Sequence, residues 1–229
     1  MDNVTALIFG HNKYASEIIA NVEDKYEEVR LFSLEEESTS IKHENYTVEY
    51  FDLSDSWHNV QEHIDTKHSI AFCVLEDTAE NIFLTISLRA HFKDLTIIAI
   101  ASDKESANKL KMAGANKVID LYQVSANRIY NILNKPLATQ FIDSILSPDI
   151  ELSAREITIP KESSLHNTKV DDFNFSKHNV ILVGMIDRRL SNQFLFITSG
   201  LEHQLNRGDT MVCIGYNSDL DRFEEFILE

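Results

Sequence analysis

The apolar run Val4–Phe9 (VTALIF) ends at Gly10-His11-Asn12-Lys13-Tyr14-Ala15 and passes into a helical pattern. A strand–glycine–helix turn can bring backbone amides up to a phosphate, and its dinucleotide form is G-x-G-x-x-G/A. Gly10 supplies the tight turn, and Ala15 can serve the third position, where helix and strand pack closely. The second position, which lets the backbone approach a pyrophosphate, is Asn12. The acidic residue expected about 20 positions on to hold a ribose hydroxyl is replaced by Ser33. These residues fit either a turn that serves the fold alone or an altered ligand cradle. They predict NAD(H) binding that is weak or absent.

Other strand-like runs end in polar groups: Asp52, then Glu76 and Asp77 with Asn81 one turn on, then Ser102 and Asp103. Ligands of open α/β sheets bind outside such strand ends, although Asp and Ser are also ordinary helix N-caps. The candidate ligand set is Gly10, His11, Asn12, Lys13, Ser33, Asp52, Glu76, Asp77, Ser102 and Asp103. A helix start beside Lys13 suits a phosphate or another anion. The carboxylates of Asp52 and Asp77 suit a ribose, an amine or a bridging cation. An adenine nucleotide satisfies both ends. No HExxH, G-x-S-x-G or GxxxxGK[ST] occurs, and His58, His63 and His68 are spaced so that they do not stack on one helix face. No catalytic residue and no metal ligand is assigned. Cys73 and Cys213 each sit in an apolar run and read as buried free thiols.

The elements that would position these residues alternate. Strand-like runs at 4–9, 29–32, 47–51, 69–75, 95–101 and 117–121 alternate with helical patterns, including one through Trp57, Val60 and Ile64. That alternation predicts an α/β, doubly wound, Rossmann-like parallel sheet. The run Leu95–Ala101 has no polar alternation and reads as a strand buried on both faces. Leu137–Leu146 carries two adjacent apolar stripes, and Leu137, Phe141, Ile142 and Ile145 are the expected homodimer contacts. Strand runs at 157–160, 180–186, 194–198 and 211–215, then a helix through Leu220, Phe223, Phe226 and Ile227, predict a small α+β subdomain. The expected organisation is 1–135, a crossover helix and linker over 136–149, and 150–229. The chain's 229 residues carry 21 Lys+Arg against 37 Asp+Glu, a net charge of −16. This argues against general nucleic-acid binding. No apolar run approaches the ~20 residues of a membrane span, and no signal peptide opens the chain.

The stretch Glu76–Asp120 (EDTAENIFLTISLRAHFKDLTIIAIASDKESANKLKMAGANKVID) resembles the RCK family, regulators of potassium conductance, also called KTN or TrkA-N/TrkA-C domains. Its Ala113-Gly114-Ala115-x-x-Val118-Ile119 element is a distinctive part of that pattern. The second half resembles the small module that follows it, through Ile157-Thr158-Ile159-Pro160, Ser164-Leu165, Asn179–Ile186 and Leu205-Asn206-Arg207-Gly208-Asp209-Thr210-Met211. The resemblance implies a non-enzymatic cytosolic sensor that pairs, assembles into rings beneath a membrane potassium pore, and gates it when an effector moves the hinge between subunits. It would lie at the inner face of the membrane through that pore. Family ligands include NAD(H), adenine nucleotides and calcium. The acidic residues of calcium-gated members fall at Ile100 and Ser102, so that calcium site is not matched. The chain begins at its first strand, as a channel's cytosolic part cut from a longer gene or made from an internal start would. A free-standing subunit of a potassium uptake transporter is the close alternative, and an NAD-dependent enzyme a more distant one.

Overall fold

A computed structural model describes residues 4–35, 46–54, 57, 60, 64–147, 150–188, 193–197 and 203–228. It divides into two compact units, Met1–Tyr130 and Asn131–Glu229.

The first unit contains β1 (Thr5–Phe9), α1 (Lys13–Val22), β2 (Glu28–Ser33), β3 (Thr47–Tyr50), β4 (Ile70–Cys73), α2 (Thr78–His91), β5 (Thr96–Ala101), α3 (Lys104–Met112) and β6 (Lys117–Asp120). Helix α4 (Leu121–Asn134) begins in this unit and runs past its boundary. The six strands pair in parallel in the order β3-β2-β1-β4-β5-β6, so the order reverses between β1 and β4. Strand β1 is central and wholly buried, which is why it reads as an unbroken apolar run. Leu7 and Phe9 face a core with Leu84 and Leu88 of α2, Leu110 of α3, and Trp57. Ala6 and Ile8 face the opposite side, with Ala15 and Ile19 of α1. The helix expected through Trp57, Val60 and Ile64 falls largely outside the described residues.

Strand β5 departs from expectation. Ile97, Ala99 and Ala101 are buried, but Thr96, Ile98 and Ile100 are only half-buried. Helix α1 covers β1 and β2, and among the described residues no helix extends that layer over β4–β6. Ile98 and Ile100 instead line an apolar groove of about 330 Å³ with Phe72, Ile119, Tyr14, Ile18 and Val22.

The second unit holds the end of α4, then α5 (Pro136–Leu146), β7 (Leu152–Thr158), β8 (Thr168–Lys169), β9 (Ile181–Ile186), β10 (Phe194–Phe196), β11 (Gln204–Leu205), β12 (Thr210–Tyr216) and α6 (Asn217–Leu228). An antiparallel sheet runs β10-β9-β12-β7, with a separate ribbon of β8 and β11. The α+β character is as read from sequence, but the two-residue strands β8 and β11 are too short to leave a period. The core joins Met185, Met211 and Cys213 to Leu220, Phe223 and Ile227 of α6. Helix α5 starts with Pro136 at its first turn and buries only Thr139; Leu137, Phe141 and Ile142 are exposed and Ile145 is half-buried. No helix among the described residues is long and apolar enough to cross a membrane.

Candidate functional site

The parallel sheet gathers the strand ends at its carboxyl edge, and the β1–α1 turn sits where the strand order reverses. Gly10 has φ +124°, and a Cβ there would stand 2.7 Å from the Val74 carbonyl oxygen, so the close approach of β1 to the end of β4 requires glycine. Asn12 then closes the turn. Its Oδ1 accepts from the Ala15 amide at 3.2 Å as the N-cap of α1. Its Nδ2 donates to the Val74 carbonyl at 2.7 Å. The side chain at the second fingerprint position thus spans the junction between β1 and β4.

Two cavities flank that bridge. The smaller, about 260 Å³, is lined by Gly10, His11, Asn12 and Ser33–Glu35 on one side and by Leu75–Asp77 and Glu80 on the other. The larger, about 460 Å³, runs from Asn12 and Tyr14 past Thr78 and Ser102 to Leu121, Tyr122 and Ser125 of α4. Asn12, Leu75 and Glu76 border both.

The structure brings together Gly10, His11, Asn12, Ser33, Glu76 and Asp77 around the smaller cavity and places Ser102 on the larger. Lys13, Asp52 and Asp103 line neither. Lys13 is exposed on the first turn of α1. Asp52 is held in its own turn, accepting from the Ser54 amide at 2.7 Å and the Ser54 hydroxyl at 2.5 Å. The hydroxyl first and the amide second hold its carboxyl below the usual range. Asp103 caps α3 in a reciprocal capping box with Ser106, and the Ser106 amide holds its pKa low. Asp77 caps α2 through the Ala79 and Glu80 amides, and Asp120 accepts from the Gln123 amide at the start of α4. A strand that ends where a helix begins needs a cap, and the capping residues are the same types that a ligand site uses.

Glu35 and Asn81 border this site but are not in the candidate ligand set. Ser33 is 2% exposed, and its hydroxyl accepts from the Glu35 amide at 3.1 Å. The serine turns inward, and Glu35 stands on the cavity wall two positions after the place where the fingerprint wants its acid. In the sequence the run Glu35–Glu37 reads as a solvated acidic loop. Asn81 is the second. It is 2% exposed; Nδ2 donates to the carbonyls of Cys73 (3.1 Å) and Ile100 (3.0 Å), and Oδ1 accepts from the Leu75 amide at 3.3 Å. It ties the ends of β4 and β5 together beneath the larger cavity. Cys73 lies below the same edge, buried, its thiol pushed up to about 12 by burial and therefore unreactive.

Comparison with known proteins agrees with this architecture. The TrkA-N domain family matches residues 6–121, and the TrkA-C domain family matches residues 154–228. The chain belongs to the TrkA-N/TrkA-C family of RCK domains. The probable potassium channel protein 2 of Methanocaldococcus jannaschii is 29% identical over 161 residues, which are 67% of this chain and 45% of that protein. This chain therefore spans about half the length of that relative. Among solved structures, the TrkA-N domain of the Escherichia coli inner membrane protein ybaL superposes with a TM-score of 0.50 at 15% identity, over 58% of this chain and 98% of that one. The GsuK RCK domain gives 0.48 at 20% identity, over 98% of this chain and 46% of that one.

In this RCK chain the distinctive AGA-x-x-VI element is a structural lock. Gly114 (φ +106°) follows α3 in a Schellman turn, its amide bonding the Lys111 carbonyl and the Ala115 amide that of Leu110. The Arg89 guanidinium fans out to the carbonyls of Gly114, Phe92 and Lys93 and to Asn116 Oδ1. Asn116 Oδ1 also accepts from the Ile97 amide at 2.8 Å. The RCK motif thus fixes the α3–β6 turn against β5, away from either cavity.

Proposed function

We propose that this chain is the ligand-sensing regulatory part of a potassium channel, that it works as a homodimer within a larger ring on the cytoplasmic side of the membrane, and that an effector in the β1–β4 cleft shifts the hinge between copies. The observation that carries this reading is the cleft's connection to α4: its wall includes the first turn of the helix that runs from one unit into the next. A ligand there can bias α4, and a gate responds to a ligand only through its differential affinity for two states. The likeness to an archaeal channel protein supports a channel over an uptake transporter. Membrane spans immediately upstream in the gene would separate the two. The family supports a regulator over an enzyme, and a turnover screen with reduced nicotinamide cofactor tests that.

Pairing is supported by α4 and α5. Ten of their apolar side chains, from Tyr122 to Leu146, are each at least 48% exposed. A second copy is the occupant of that surface, and Leu137, Phe141, Ile142 and Ile145 belong to it.

The effector we propose is an adenine nucleotide. Its phosphate meets the first amides of α1 beside His11, and its ribose meets Glu35, which takes over from Ser33. The Asn12 bridge obstructs a pyrophosphate that must cross it, which disfavours NAD(H). Calorimetry of the full chain is expected to show saturable binding of AMP or ADP and weaker binding of NAD(H). Sub-micromolar NAD(H) affinity would overturn the dinucleotide argument. If no nucleotide or divalent ion raises the melting temperature, the cleft is vestigial and the domain a structural coupling ring.

A further inference from the structure

The cavity on the α4 side of Asn12 differs in chemistry from the one on the Glu35 side. Its floor is apolar, from Val74, Leu75, Ile100, Ala101, Leu110 and Leu121. Its walls carry the hydroxyls of Thr78, Ser102, Ser106 and Ser125, and Tyr14 and Tyr122 add aromatic surface. Among the described residues Glu76 is its one carboxylate, and no Lys, Arg or His lines it. The helices that start around it already spend first-turn amides on caps: Asp77 on α2, Asp103 on α3 and Asp120 on α4. Among the described residues a phosphate would find no cation there. At about 460 Å³ the cavity falls within the ~300–1,000 Å³ of small-molecule sites.

The Asn12 bridge separates this space from its neighbour. The side chain is held at both ends, by the Ala15 amide and the Val74 carbonyl, and it borders both cavities. One ligand laid across the cleft would have to displace it.

We propose that the larger cavity is a ligand site of its own, taking an uncharged nucleoside or a comparable polar ring compound, and that its ligand bears on α4 directly, whereas one on the Glu35 side acts on α4 only through the shared wall of Asn12, Leu75 and Glu76. The cleft then holds two ligands, read separately. This inference rests on the cleft being a sensor, as argued above, but not on AMP occupying its smaller side. Aromatic surface suits a flat ring, the hydroxyls and Glu76 suit ribose hydroxyls, and the missing cation rejects phosphorylated forms. Leu121, Tyr122 and Ser125 place the ligand against the first turn of α4.

Adenosine is the probe. Calorimetry of the full chain, up to ~5 mM adenosine, is expected to show saturable binding that persists in saturating AMP. Ser102→Trp, which fills the cavity, should weaken it at least about tenfold, and Glu35→Ala should leave it within about twofold. Ser125→Trp, on the exposed face of α4, is the second filling variant should Ser102→Trp fail to fold. Hydrogen exchange at the amides of Leu121–Val124 should slow more with adenosine than with AMP. Adenosine binding that is lost in Glu35→Ala and kept in both filling variants overturns the proposal, as does the absence of saturable binding. AMP that fails to bind while adenosine binds as stated would sink the adenine-nucleotide reading of the smaller side and leave this one standing.

Discussion

The cleft edge of the first unit and the α4–α5 pair make opposite use of their side chains. At the edge, residues that look like chemistry are consumed by the fold: Asn12, Asp77, Asp103 and Asp120 cap helices, and Asn81 ties two strands. On α4 and α5, residues that look like core are left outside it, with Tyr122, Leu133, Leu137 and Leu146 each more than 70% exposed. Residue type alone therefore misleads in both directions. What decides a role is whether the residue's own unit supplies a partner in register. A capping aspartate has its partner two or three residues away; an apolar stripe on α5 finds none among the described residues of its own unit, which is what the proposed second copy would supply.

The sharpest way to break that contrast is at Asn81. Replacing it with alanine leaves the Cys73 and Ile100 carbonyls and the Leu75 amide without their partner at a buried position. Unsatisfied buried groups cost about 1–3 kcal/mol each, and partial rescue by water in the cavity brings the expected loss to about 3 kcal/mol in urea unfolding. A loss well under 1 kcal/mol would mean the fold does not depend on Asn81 and that its polarity serves a ligand.

Phe141→Asp tests the other half. Phe141 is 48% exposed, so docking buries about half of a ring worth about 1.5–3 kcal/mol, and a carboxylate in its place adds a desolvation cost. Self-association measured by light scattering should fall at least about tenfold, with little change in the unfolding of the dilute chain. Unchanged dimers would show that α5 is not the interface. A less stable monomer would show that Phe141 packs within its own unit.

Much of the architecture was legible because periodicity carries it. The parallel sheet, the Schellman glycine Gly114 and the closing helix α6 all leave patterns over several residues. The half-open β5 was not legible, because Ile98 and Ile100 are as apolar as Ile97, and what distinguishes them is that no helix among the described residues covers their face. At the site, Gly10 and Asn12 were readable from the motif, but the inward turn of Ser33, which passes the acidic place to Glu35, depends on one hydroxyl–amide bond. Lys13, Asp52 and Asp103 flank the strand ends in sequence, yet turn geometry aims them elsewhere. Sequence position locates a strand end to within a residue or two, and at a strand end one residue changes the direction of the side chain.

The smallest expected effect concerns Asp103, where fold and ligand readings differ most cleanly. Its Oδ1 accepts from the Ser106 amide at 2.8 Å, and it lines neither cavity. The Ser106 amide is the largest cause of its lowered pKa. The folded chain therefore binds this proton less readily than the unfolded chain, whose aspartates titrate near about 3.9. The stabilisation is complete above that value and is lost as the pH falls through the lowered folded value. Asp103→Asn keeps an oxygen that can cap α3 but removes the titration. The variant should bind AMP and adenosine as the parent does. Its melting temperature should sit slightly below the parent's at neutral pH, and the gap should close on acidification below about pH 4. A gap constant from pH 7 to about 3 would show that the charge of Asp103 contributes nothing through its cap. A loss of ligand binding would return Asp103 to the cleft.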